Sequence, residues 1–150
     1  MKAKQFFMRA RSAEQDIRRL ERMIDHYSSV GASISSKWGG IGGGKGNNQS
    51  KVETAAVGII TAEQGILSEL TRYRQIVAEA ENVISRIPQD RFRQILTLHY
   101  LAGMTLADVS RTLNYKHTEN LYRAHGWALG AAQKIIDQQE ERENNGTRKM

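Results

Sequence analysis

The 150-residue sequence contains no cysteine and a single proline, Pro88. Without cysteine there is no disulfide framework, no cysteine-held zinc and no thiol nucleophile, and nothing points to an oxidising compartment. Long apolar runs are missing as well, since none exceeds about four residues against the ~20 needed to cross a bilayer. The basic start, Met1–Ser12, leads into Glu14, Asp16, Arg18 and Arg19 instead of an apolar stretch. No signal peptide is therefore read, and no membrane partner is expected. Apolar side chains make up only 39% of the residues, too few for one large globular core. These shortages predict a soluble protein of the cell interior, built around narrow buried stripes.

What is present in excess is positive charge: 22 Lys+Arg stand against 16 Asp+Glu, a net charge of +6. A polyanion is the first partner this suggests, because basic side chains that neutralise phosphates release counterions. The surplus is local. Residues 1–37 carry eight basic and four acidic side chains and residues 88–136 carry six and three, whereas 38–87 and 137–150 are balanced or acidic.

Glycine is equally uneven, with seven of 13 between Gly31 and Gly46. That run reads as a flexible loop over residues 39–50, since ordering it costs more backbone entropy than it can recover. On either side of it apolar residues recur at alternating steps of four and three, the period of a coiled-coil seam. The first set is Phe6, Ala10, Ala13, Ile17, Leu20, Ile24 and Tyr27. The second runs from Val52, Ala56 and Ile59 through Ile66, Leu70 and Val77 to Ile84 and Ile87, with Glu63 as its polar exception. Ser50 and Glu53 form a capping-box pattern that predicts the start of the second helix. Two seamed helices joined by a loop predict an antiparallel hairpin over residues 1–87. Phe7, Met23, Ile60, Leu67 and Val83 widen the stripe beyond what one partner helix covers. A further surface should pack there, either the C-terminal domain or a second copy of the chain in a homodimer.

Two patterns in this half carry little. Gly39, Gly44 and Lys45 match the opening of a phosphate-binding loop, but Gly46 stands where Ser or Thr would hold magnesium and no buried strand precedes it. The row Lys2, Lys4, Arg9, Arg11, Arg18, Arg19 and Arg22 reads as a solvated helix face.

Pro88 closes the second helix and can open a third, from Gln89, which should stop at Gly103. Thr105 and Asp108 suit an N-cap and the third position of a short helix with Leu106, Val109 and Leu113 inward. Asn114 can take the left-handed conformation of a tight turn of three or four residues. A last helix follows from about Thr118, with Leu121, Ala124, Ala128 and Leu129 inward. Helix, short turn, helix is the pattern whose second helix enters a DNA major groove. The fold class predicted is all-α: a long antiparallel coiled-coil hairpin, a C-terminal helix-turn-helix over 88–136 and a disordered polar tail over 137–150.

The residues Arg93, Ile95, Leu96, Leu98, Tyr100, Gly103, Met104, Thr105, Leu106, Val109, Leu113, Tyr115 and Leu121 resemble the fourth region of bacterial sigma factors, the helix-turn-helix that reads a promoter element. The continuation Leu121–Leu129, with Ser33–Ser36 and Lys51-Val52 flanking the loop, is similar to phage-encoded regulators of the ArpU and RinA type. The resemblance spans roughly residues 3–136. It implies control of phage late genes, such as packaging and lysis, in the cytoplasm of a bacterial host, through promoter DNA and contact with RNA polymerase. The chain departs from the pattern at His117, a poorer cap than Ser or Thr, and at Glu119 and Asn120, where sigma factors place basic residues.

For double-stranded DNA the base-edge candidates are Thr118, Glu119, Asn120 and Arg123. Arg93, Thr105, Arg111, Lys116 and Tyr122 are the phosphate candidates, which would set register without reading sequence. Trp127 and Tyr100 read as packing residues. His99, His117 and His125 lack metal-ligand spacing, so neither a metal nor a cofactor is expected. No catalytic set is recognisable, and no enzyme activity is expected. Two alternatives stand beside the regulator: a packaging protein resembling a small terminase subunit, and an interaction protein that docks on polymerase or a host factor.

Overall fold

The computed structural model describes residues 1–38 and 47–149. Among them there is no strand. The helices are α1 (Ala3–Trp38), α2 (Asn47–Ser85), α3 (Asp90–Leu96) with a π-helical continuation (Thr97–Leu101), α4 (Leu106–Thr112) and α5 (Thr118–Arg148). α1 and α2 are the arms of the predicted hairpin, and α4, its turn and α5 form the helix-turn-helix. The Gly39–Gly46 run, with its partial phosphate-loop pattern, lies outside the described residues. α2 is already helical at Asn47, so Ser50 sits inside the helix rather than at its start. No helix among the described residues is long and apolar enough to cross a membrane.

The chain divides into two compact units, one of Gln15–Arg74 and the other of Met1–Glu14 with Gln75–Met150. In the first, Ile17 and Leu20 of α1 and Ile66 and Leu70 of α2 are buried, as the seam predicts. Arg74 of α2 meets Glu21 of α1 at 3.3 Å. Seam positions nearer the loop are less covered: Ile24, Tyr27, Val52 and Ile59 are half-buried and Ala56 is exposed. A pair of helices has only one face to share, so the residues beside the seam stay in solvent.

In the second unit the opening of α1 is enclosed. Ala3, Phe7 and Ala10 pack with Ala80, Val83 and Ile84 of α2, Ile87 just beyond it, Leu96 and Tyr100 around the π turn, and Ala128, Ala132 and Ile136 of α5. The Phe7 and Tyr100 rings stack with centroids 5.3 Å apart and planes 26° apart. The extra surface that Phe7 and Val83 call for is thus the C-terminal helices. This places the division of the chain at residues 14/15 and 74/75, instead of the boundary at 87/88 drawn from the sequence. A separate cluster, Ile95, Val109, Leu121 and Ala124 with Leu98, Met104, Leu106, Leu113 and Tyr115 around them, is the core of the helix-turn-helix. Neighbours Ile95 and Leu96 therefore serve different clusters.

α5 continues to Arg148, where the sequence predicts a disordered polar tail from residue 137. Polar anchors explain part of the difference. Gln133 accepts from the Ala3 N–H through Oε1 at 2.6 Å and donates through Nε2 to the Met1 carbonyl at 3.0 Å. Gln139 reaches Asn82 at 3.4 Å, and the Met1 amino group meets Glu140 at 2.8 Å.

The helical run stops before Gly103, as the sequence predicts, and Gly103 has φ of 78°. The Met104 N–H reaches back to the Leu98 carbonyl at 3.0 Å, and Ala102 to Thr97 at 2.9 Å. Two substitutions test this packing by urea unfolding. Phe7→Ala should cost about 3–5 kcal/mol, the usual loss for a buried ring. Gly103→Ala should cost roughly 1–2 kcal/mol through the left-handed backbone alone, because a Cβ there meets nothing within 4 Å. A loss under about 1 kcal/mol for Phe7→Ala would show that the stack is not what holds α1 in this core.

Candidate nucleic-acid interface

α4 is short and closed at both ends by its own residues. Thr105 caps it, its hydroxyl oxygen accepting from the Asp108 N–H at 3.1 Å. At the other end the Tyr115 N–H returns to the Ser110 carbonyl at 2.9 Å and the Asn114 N–H to that of Arg111 at 3.2 Å. This pair of bonds is the Schellman closure, with Asn114 in the left-handed position at φ 60° and Tyr115 packed beside Val109 in the helix-turn-helix core. The turn comprises Leu113–His117, a residue longer than predicted. The closure uses Leu113–Tyr115, and His117 then adds an extended step (φ −125°, ψ 128°) before α5. His117 makes no side-chain cap, in keeping with its poor capping chemistry.

α5 buries Leu121, Ala124 and Ala128 and turns its opposite side outward. At 100° per residue that outward side is centred on Glu119, Arg123, Gly126 and Gly130, flanked by Tyr122 on one edge and by Asn120 and Trp127 on the other. All of these are exposed. The four base-edge candidates, Thr118, Glu119, Asn120 and Arg123, are brought together within the first two turns, with Thr118 at the margin. Lys116 is exposed just before them, and the Tyr122 side chain, 52% exposed, lies among them.

The other phosphate candidates fare differently. Arg111 is exposed and paired with Asp108, whose carboxyl is held below the usual range first by that hydrogen bond and then by Thr105. Thr105 is exposed, but its oxygen is occupied by the cap. Arg93 is engaged within the chain: Nη1 donates to the carbonyls of Ile87 at 2.6 Å and Pro88 at 3.1 Å, while Nη2 meets Asp90 at 3.0 Å. Its donors fasten the α2–α3 junction, which its place among arginines of similar spacing did not signal.

Trp127 is corrected. Read from sequence as a packing residue, it is 65% exposed, because its position lies at the edge of the outward face, about 100–120° around α5 from Leu121 and Ala128. Tyr100 is buried as predicted. Arg91 was not singled out by the sequence. Its Nη1 donates to the Leu113 carbonyl at 3.1 Å and its guanidinium lies 5.6 Å from the Tyr115 ring centre, so it holds the turn that aims α5. The partners are more than twenty residues away, and no local pattern announces them. Gly126 and Gly130 have open space where a Cβ would stand. No contact within the chain requires glycine there, although each costs about 1 kcal/mol relative to alanine in a helix.

Beneath this surface lies an aromatic and histidine cluster. The Tyr100 hydroxyl and His125 Nε2 are 2.8 Å apart. His99 donates through Nδ1 to the Met104 carbonyl at 2.7 Å, which leaves Nε2 to accept from Arg11, 3.4 Å away. Arg11 also reaches the Gly103 carbonyl at 3.4 Å. Burial holds the His125 pKa down, aided by His99 and Lys4, and burial likewise lowers that of His99, Arg11 adding to it against the Met104 bond. Burial raises the Tyr100 phenol. At neutral pH the cluster is therefore uncharged apart from Arg11 and Lys4. Among the described residues no group of His, Asp and Glu is arranged to hold a metal.

Both histidine shifts are downward from 6.5, so the unfolded chain binds more protons just below that value. Stability is complete above about pH 6.5 and falls as pH drops from there through the folded values. The midpoint of thermal unfolding, followed from about pH 7.5 down to 5, should decline more steeply for the native chain than for His99→Gln/His125→Gln. Equal slopes would exclude these two rings as the source. Comparison with protein-family models, curated proteins and solved structures gives no match to this chain.

Proposed function

We propose that the chain is a sequence-specific DNA-binding transcription regulator whose recognition helix is the start of α5. One observation carries this reading: the first turns of α5 expose Thr118, Glu119, Asn120, Tyr122 and Arg123 together, aimed by a closed α4 and a fixed turn. These side chains have the donors and acceptors that base edges require. Arg123 suits guanine, Asn120 adenine, and Glu119 the cytosine amino group. Lys116 and Arg111 would hold phosphates beside them and contribute affinity without sequence. Of the three acidic residues of the segment, Asp90 is paired with Arg93 and Asp108 with Arg111, which leaves Glu119 exposed on the same helix as Arg123 and Lys134. The resemblance to ArpU- and RinA-type regulators and to the fourth sigma region extends the reading to phage late promoters and to RNA polymerase.

A second reading has one observation in its favour. Trp127 and Tyr122 are exposed aromatics on the same helix, the residue types that anchor protein interfaces. Retention of RNA polymerase by the chain in the absence of DNA, abolished by Trp127→Ala, would support it.

Selection of bound fragments from a random duplex pool at fixed salt should recover a consensus. Against that consensus Arg123→Ala should lose about 1–3 kcal/mol of binding with helicity unchanged. Log affinity should fall with log salt at about 0.9 per phosphate contacted. A flat salt response, or no enriched sequence, removes the DNA reading.

A further inference from the structure

In the Gln15–Arg74 unit α2 carries a second seam beside the one that faces α1. Glu53, Val57, Ile60, Gln64, Leu67 and Arg74 share one flank, at heptad steps of four and three, with Thr71 filling the place between the last two. Val57 is 62% exposed, Ile60 53% and Leu67 52%, the exposed large apolar side chains of this unit among the described residues. Glu53, Gln64, Thr71 and Arg74 are exposed as well. The flank extends about 31 Å along the helix.

Its order of chemistry is acid, hydrocarbon, amide, hydrocarbon, base. We infer that this flank binds the same flank of a second copy of the chain, antiparallel, about a two-fold axis beside Gln64. In that register Ile60 of one copy opposes Leu67 of the other, Val57 meets the Thr71 methyl, and the Glu53 carboxylate at one end meets the Arg74 guanidinium at the other. Each contact occurs twice, as an isologous interface requires. The two Gln64 amides lie together at the axis, where a single polar pair sets register against slippage by a heptad. Parallel pairing would oppose Glu53 to Glu53 and Arg74 to Arg74, so the charges select the antiparallel arrangement. The existing Arg74–Glu21 contact does not compete. It is an exposed pair of small energy, and a guanidinium has five donors to share.

Sedimentation equilibrium of the full-length chain tests this without DNA, so its outcome is separate from that of the regulator reading. The native chain should sediment at twice its 16.9 kDa mass. Leu67→Glu, on an exposed site, should sediment as a monomer with helical circular dichroism retained. Glu53→Arg and Arg74→Glu should each raise the dimer dissociation constant by about tenfold, and the two together should restore it. Glu21→Gln should leave it unchanged. A native monomer, a dimer indifferent to Leu67→Glu, or a double variant weaker than either single one each overturns the proposal.

Discussion

The C-terminal half of the chain depends on a ring that comes from the other end. Phe7, buried against Tyr100, fills the space between the end of α2, the π turn and the middle of α5. Without it the small residues Ala80, Ala128 and Ala132 would face one another across a gap that their own side chains cannot close. The alanines let helices approach, and the ring supplies the bulk. Around this contact His99 and His125 are half-buried, which lowers both their pKa values, and Arg11 bridges the cluster to the Gly103 carbonyl. The start of α1 is thus as much a part of this unit as α4.

This arrangement also accounts for the low apolar content. The helix-turn-helix core is small, with Ile95, Val109, Leu121 and Ala124 at its centre, and it borrows rigidity from the larger cluster through α3 and α5. Within the Gln15–Arg74 unit, by contrast, burial is confined to one stripe and the flank bearing Ile60 and Leu67 is left in water.

What was legible in the sequence was local. Seam spacing foretold Ala10, Ala13, Ile17, Leu20, Ile66 and Leu70, and the turn chemistry of Gly103, Thr105 and Asn114 was readable because each residue type answers to its own backbone. The cluster of Thr118, Glu119, Asn120 and Arg123 on exposed turns followed from the same periodicity. What was not legible depended on distant partners. The Arg93 clamp, the Arg91 hold on Leu113 and the anchors of Gln133 join residues whose types alone carry no such meaning. The exposure of Trp127 went unread for another reason: large aromatics are taken for core unless their angular position is set against the buried stripe. The π turn had no signal, since Thr97–Leu101 has the composition of ordinary helix.

α5 gives the unit a mechanical property. It is one unbroken helix of 31 residues, about 46 Å long, whose first turns carry the outward face and whose middle is clamped in the Tyr100 core. Such a rod is a lever with its fulcrum at Ala128 and Ala132. A load on its leading end is resisted at Gln133, which grips the Met1 carbonyl and the Ala3 amide. The opening residues of α1 therefore brace the leading end of α5 from the opposite side of the pivot.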